Sequence, residues 1–264
     1  MLPEVSIFGL FILSGYQFFY ITGVVFTVVV ILLLSRREKL DLVEMINYLI
    51  FGIIAGVTGT KIYAVSATFL GNPGLSIKNP DILLKSLRSG GVFYGGIFAM
   101  VIFAYFYTRK FFMGSEWRIF DITVVGGALG HMFGRLGCFS AGCCYGLPAD
   151  ISWGVKFPFL GKDIHRFHEI FLHPTQIYEA VLNLTNFIIL LLVWRKRKFE
   201  GQVFSLYLIN YGFIRFFVEF FRNDGGRGYI IKSDSRLLSL SIPQLISIIM
   251  IIAGFFIYRR LKCR

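Results

Sequence analysis

Residues 15–39 run GYQFFYITGVVFTVVVILLLSRREK, an apolar stretch from 15 to 34 that ends on the cations Arg36, Arg37 and Lys39. A helix needs about 20 such residues to cross the hydrocarbon core of a bilayer. Further runs of the same kind follow at roughly 45–66, 91–108, 119–136, 176–194, 203–221 and 238–258. In lipid every backbone N–H and C=O must find an internal partner, which leaves helices or a closed barrel; uninterrupted apolar runs exclude the weak alternation of barrel strands. The expected fold is all-α, a polytopic membrane protein of seven transmembrane helices.

Composition points the same way. Of 264 residues, 56% are hydrophobic, 17% aromatic and 16% charged, and the mean hydropathy is +0.69. That leaves too little polar surface to solvate a globule in water. The formal net charge is +12, but the basic residues stand in short clusters beside apolar runs and not along one amphipathic face. Membrane lipids, not nucleic acid, are therefore the expected partners. The start of the chain lacks the basic region and small-residue cleavage site of a signal peptide, so the first run is expected to stay in the mature protein.

Basic clusters follow the first run, the third (Arg109, Lys110), the fifth (Arg195, Lys196, Arg197, Lys198) and the seventh (Arg259, Arg260, Lys262, Arg264). Cationic loops stay cytoplasmic, so the N-terminus is expected outside and the C-terminus inside. The chain then forms a single membrane domain, 1–264, with segments 67–90, 138–175 and 222–237 on the outer side. Segment 138–175, with its Pro, Gly, His and aromatic residues, is expected to form a small folded head. The fourth run is rich in glycine and holds His131, a composition suited to close contact with neighbouring helices.

Four polar motifs lie near the outer helix ends: RSGGVFYGG (Arg88 to Gly96), GRLGCFSAGCCYG (Gly134 to Gly146), HPTQIYEA (His173 to Ala180) and RFFVEFFRND (Arg215 to Asp224). Ionisable groups at such depth are costly unless they are paired or face a wet cavity. Arg215 and Glu219, four apart, form either an intrahelical pair or part of a binding site. Arginine is the better phosphate ligand of the two basic residue types, because its fork stays charged and binds oxygens in pairs. Two or three arginines at headgroup depth point to a phospholipid phosphate. Tyr94 is open between an interfacial anchor and an acid/base; His173 and Glu179, around Pro174, are open between capping and catalysis. His165 and His168 read as solvated loop residues. Cys138, Cys143 and Cys144 lack the paired C-x-x-C spacing of zinc sites, so no metal and no cofactor are expected. A disulfide from Cys138 to Cys143 or Cys144, or thiol exchange, remains open.

In this order the motifs resemble the prolipoprotein diacylglyceryl transferase family of bacterial inner membranes. The likeness rests on GR-x-G-x-F from Gly134 to Phe139 closing on Gly146, HPTQ-x-YE from His173 to Glu179, and RF-x-VEFFR from Arg215 to Arg222, and it runs on to SIPQLISIIMIIAG at 241–254. The resemblance implies seven helices with an outward head. It also implies transfer of the diacylglyceryl group of phosphatidylglycerol to the lipobox cysteine thiol of a preprolipoprotein, releasing glycerol phosphate. By motif, Arg135 and Arg215 would hold the phosphate, with Glu219, Arg222, His173, Glu179 and Gly146 around the substrate. The chain departs from the family pattern in three places. The family's SFHGG appears as VFYGG, which puts Tyr94 where a catalytic histidine is expected; Cys138, Ala141 and Cys143 replace asparagine-containing positions; and the first-span Tyr-Gly appears as Phe8 and Gly9. Two other readings are a related phospholipid transferase with a different acceptor, and a non-catalytic lipid-binding or thiol-redox membrane protein.

Overall fold

The structure is a computed structural model that describes residues 4–7, 11–71, 84, 93–114, 116–157, 170–222, 229–231 and 239–263. Arg88, Gly90, Gly91, Phe8, Gly9, His165, His168 and Asp224 lie outside the described residues, as does the side chain of Tyr94. The described helices are α1 (Gly15–Arg37), α2 (Leu42–Gly71), α3 (Phe93–Phe111), α4 (Glu116–Ser140), α5 (Thr175–Lys196), α6 (Gln202–Glu219) and α7 (Ile242–Lys262). Each falls on one of the seven apolar runs. Five of them, α1, α2, α4, α5 and α7, are long and apolar enough to cross a membrane. The exceptions have local causes: α6 carries Arg215 and Glu219, and α3 carries Arg109, Lys110 and three tyrosines.

Polarity is arranged inside out. Glu179, Asp121, Asn183, Gln176 and Ser205 are fully or almost fully buried, while Phe26, Val29, Leu33, Phe98, Ile252 and Phe256 face outward. Water would not tolerate such a surface over so many turns, and lipid would. The chain is a multi-pass membrane protein. Two short antiparallel hairpins depart from the all-helical expectation: β1 (Glu4–Ile7) with β2 (Phe11–Ser14), and β3 (Tyr229–Ile231) with β4 (Leu240–Ser241).

The chain divides into two compact units, one of Met1–Ile31 with Phe120–Arg264 and the other of Leu32–Ile119. In the first, Gly23, Thr27 and Ile31 recur every four residues on one face of α1 and meet the glycines of α4. A Cβ at Gly126 would lie 2.6 Å from Ile31, and Thr27 donates a hydrogen bond to the Gly126 carbonyl at 3.2 Å. Helices α6 and α7 approach equally closely, through Gly212 against Ser247 and Gly254 against Ser205. At the far end of α6 the buried Asp121 of α4 accepts from the Gly201 and Phe204 amides at 2.9 and 2.7 Å, capping a helix that begins 80 residues later. Helix α7 starts on a capping box between Ser241 and Gln244.

Between α4 and α5 the chain folds back on itself. Bridges join Gly146 to Arg222 and Leu172 to both Pro148 and Val155. Phe157 and Leu172 form a small buried core with Phe139, Tyr145 and Val155 packed around it. The described part of the expected head is thus a folded structure. In the second unit α2 and α3 cross where Gly59 meets Gly95 and Ala99, and an aromatic group forms around Tyr48, Phe103, Tyr107 and Phe112.

Gly146 is closed in from two sides: a Cβ there would meet the Phe221 carbonyl at 2.5 Å and both the side chain and the backbone of His173, at 2.6 and 2.8 Å. Gly146→Val is expected to lower stability by about 1–3 kcal/mol through overpacking. Gly127→Ala, where a Cβ meets open space, should be silent. Thermal unfolding of the two variants in detergent checks the contrast.

Candidate functional site

The first unit gathers its ionisable residues around one carboxylate. Glu179 lies in the first turns of α5, following Pro174, and its side chain is fully buried. Arg135 of α4 brings Nη2 to 2.9 Å from one carboxylate oxygen, and Arg222, just past α6, brings Nη1 to 3.6 Å from the other. Arg215 of α6 also acts on Glu179 electrostatically, while its Nη2 pairs with Glu219 at 2.6 Å. Arg135 approaches Glu179 within bonding distance but off the bonding direction, and neither carboxylate oxygen accepts an aligned hydrogen bond among the described residues. Charge and proximity hold the group together more than directed hydrogen bonds do.

His131 stands one turn before Arg135 on the same face of α4. The Nε of Arg135 donates to His131 Nε2 at 3.2 Å, so that nitrogen is an acceptor and the ring is neutral. Its 3.7 Å approach to Glu179 is therefore not an ion pair. Glu219 is held in turn by Ser241, whose hydroxyl donates at 3.3 Å while its oxygen caps α7. The described cluster sets three arginines against two carboxylates and keeps a surplus of one positive charge. Arg215 Nη1 is buried without a hydrogen-bond partner among the described residues, an orphan donor that an anionic oxygen would satisfy.

The loop after α4 is clamped to the start of α5. Thr175 donates to the Cys144 carbonyl at 2.9 Å and Gln176 to the Cys143 carbonyl at 2.7 Å. Gly142 and Cys144 both take left-handed backbone conformations, φ 66° and 65°. All four cysteines are free thiols, and the sulfurs of Cys138, Cys143 and Cys144 lie within 4.8 Å of one another. Hydrogen bonds with the Cys138 and Cys143 thiols, with Arg222 and Arg135 behind them, hold Cys144 well below the ordinary thiol range. Cys143, bonded to the Cys138 and Cys144 thiols, is pushed up.

His173 sits beside this cluster. Its amide donates to Leu147 and its carbonyl accepts from Gly146. Trp153 donates to the Tyr178 hydroxyl at 2.8 Å, and that hydroxyl also shares a hydrogen bond with His173 Nδ1 at 3.1 Å. Burial holds the His173 imidazole below its ordinary value, which favours the neutral ring.

Arg135, Glu179, Arg215, Glu219, Arg222, His173 and Gly146, drawn from three separate motifs, thus meet at one end of the same unit. Tyr94 belongs to the second unit, on the first turn of α3. Sequence reasoning gave His131 no role, although its position four before Arg135 was a usable signal. It also passed over Gln176, Thr175 and Ser241, which act by holding backbone or carboxylate in place.

The family model described as prolipoprotein diacylglyceryl transferase matches residues 4–260. Similar proteins carry the name phosphatidylglycerol–prolipoprotein diacylglyceryl transferase. One from Clostridium tetani is 37% identical over 259 residues, covering 96% of this chain and 94% of that protein. A second, numbered 2, from Clostridium perfringens is 32% identical over 256 residues, 96% and 92% of the two chains. One from Finegoldia magna is 30% identical over 259 residues, 97% and 94%.

Removing the central carboxylate would take a buried counter-charge from both Arg135 and Arg222. Breaking a buried ion pair from one side costs about 3–5 kcal/mol. Glu179→Ala is therefore expected to lower the thermal unfolding temperature far more than Glu38→Ala, which removes a partly exposed 3.9 Å pair with Arg118. Scanning fluorimetry of the two variants in the same detergent tests this.

Proposed function

The chain belongs to the prolipoprotein diacylglyceryl transferase family and is a transferase of lipoprotein biosynthesis; from that premise we propose how its residues divide the work. The reaction moves the diacylglyceryl group of phosphatidylglycerol to a prolipoprotein, and the acceptor is the lipobox cysteine thiol. The observation that carries the assignment is the buried Nη1 of Arg215, an orphan donor among the described residues, in a cluster that also holds Arg135 and Arg222. A phosphodiester carries one negative charge and oxygens on which arginine forks bind in pairs.

Arg135 and Arg215 hold the phosphate of the lipid and take up charge on the departing glycerol phosphate. The Arg135 pairing with Glu179 does not oppose this role: Nε and Nη2 are engaged, and a guanidinium has further donors. Arg222 adds positive charge from the segment after α6, Glu219 aims Arg215, and Glu179 fixes the three arginines relative to one another. Gly146 and His173 bring the head backbone against Arg222. Tyr94, at the position the family gives to a histidine, takes a catalytic role by that correspondence alone.

All seven helices span the membrane in this reading, the whole chain forming one membrane domain with its head at about 138–175. Basic last turns on α1, α3, α5 and α7 support an outside N-terminus, a cytoplasmic C-terminus and a site at the outer face of the bacterial inner membrane. A membrane-impermeant maleimide added to intact spheroplasts should label Cys143 and spare Cys263, both of which are exposed. Labelling of Cys263 alone would invert the topology.

The activity test incubates purified protein with phosphatidylglycerol and a lipobox peptide and seeks the diacylglyceryl adduct by mass spectrometry. Arg135→Ala and Arg215→Ala should each lower the rate by about 10²–10³, and Tyr94→Phe by about 10². Full activity in either arginine variant would remove the phosphate role from that residue.

A further inference from the structure

Three sulfurs from Cys138, Cys143 and Cys144 stand within 4.8 Å of one another, and nothing in the reading above uses them. We propose that these thiolates hold one zinc-like divalent cation whose open fourth position binds and activates the acceptor thiol. The inference rests on the transferase reading and deepens it.

Geometry carries the argument. A cation about 2.3 Å from each of three sulfurs at tetrahedral angles places those sulfurs about 3.8 Å apart, so a trio within 4.8 Å needs to close by about an ångström at most. The loop that presents two of them is not loose. Thr175 and Gln176, both buried, grip the carbonyls of Cys144 and Cys143, and two left-handed residues set the turn. Cys138 is fixed by the last turns of α4. Soft thiolates select zinc-like cations over calcium or magnesium. Three protein ligands with one open position are the pattern of a reactive site rather than a structural one.

Arginines also stand beside the three sulfurs. Cys144 lies within electrostatic reach of Arg222 and Arg135. A thiol bound at the fourth position would therefore stand next to the groups assigned to the lipid phosphate.

The step balances without an oxidant. The acceptor S–H loses its proton to water as the sulfur binds the cation, since a coordinated thiol is deprotonated. The sulfur lone pair then forms the S–C bond to the terminal glycerol carbon of the diacylglyceryl group. The C–O bond to phosphate breaks, and its electron pair leaves on glycerol phosphate against the arginines. A neutral phenol is a poor base near pH 7, so a chain with Tyr94 in place of histidine gains from a second means of making the thiolate.

The experiment titrates full-length purified protein with cobalt(II) as a spectroscopic probe for zinc. Wild type should bind one equivalent with a thiolate-to-cobalt absorption that changes on adding a lipobox cysteine peptide and not its serine counterpart. The Cys138→Ser, Cys143→Ser, Cys144→Ser triple variant should lack that absorption, and the single Cys143→Ser variant, at an exposed position, should weaken it. Chelation should slow transfer by wild type at least tenfold, with zinc restoring it. Absence of thiolate-to-cobalt absorption in wild type overturns the proposal, and so does transfer at full rate after the metal is stripped; the transferase reading survives both. If metal-replete wild type shows the absorption but forms no adduct, it is the transferase reading that fails, and thiol activation with it.

Discussion

Glu179 is the constraint on which the rest of this end of the protein depends. Its carboxylate is fully buried and alone would be too costly to ionise in such a place. Three arginines, from α4, α6 and the segment after α6, make it tolerable, and it makes them tolerable in return. Each of those helices must then present its arginine at one depth, which fixes their mutual height. The glycine contacts of α6 with α7 and of α1 with α4 let backbones pack closely enough for that register. The bridge from Gly146 to Arg222 ties the head to the same point.

The two ends of this unit are built differently. At one end, Asp121 caps α6 by accepting from the Gly201 and Phe204 amides, with Arg197 at 4.0 Å. That carboxylate meets backbone donors, and its role is complete within the protein. At the other end, among the described residues, Glu179 accepts no aligned hydrogen bond and Arg215 keeps an orphan donor. A buried polar group left short of partners is either strain or a place for a ligand. Three arginines gathered at one point favour an anionic ligand.

The helices were legible because length and apolarity are local properties, and each of the seven runs coincides with a helix. The chemistry was legible as motifs but not as contacts. Arg215 with Glu219 is a four-residue spacing that any reader of helices can pair. Arg135 with Glu179 joins residues 44 apart in the chain, and only the fold brings them together. Asp121 capping a helix 80 residues later was hidden for the same reason. The short hairpins escaped because three or four paired residues beside long helices leave no periodicity to detect. The spacing of the cysteines argued against a metal site and left a disulfide or thiol exchange open; it is the left-handed turn at Gly142 and Cys144, held by Thr175 and Gln176, that folds the three sulfurs together.

The division of labour follows from where each charge can be satisfied. A phosphodiester brings one negative charge into the arginine cluster, and when its ester bond breaks the departing phosphate gains another. A cluster whose donors were all engaged before the reaction would have nothing to offer that second charge. One that keeps its arginines slightly under-paired, as Arg215 is, has donors in reserve for the charge that develops. Glu179 sets that reserve. A longer-reaching or second carboxylate at this point would neutralise all three arginines, and a neutral residue would leave them repelling one another. One fully buried glutamate holds them together without exhausting them.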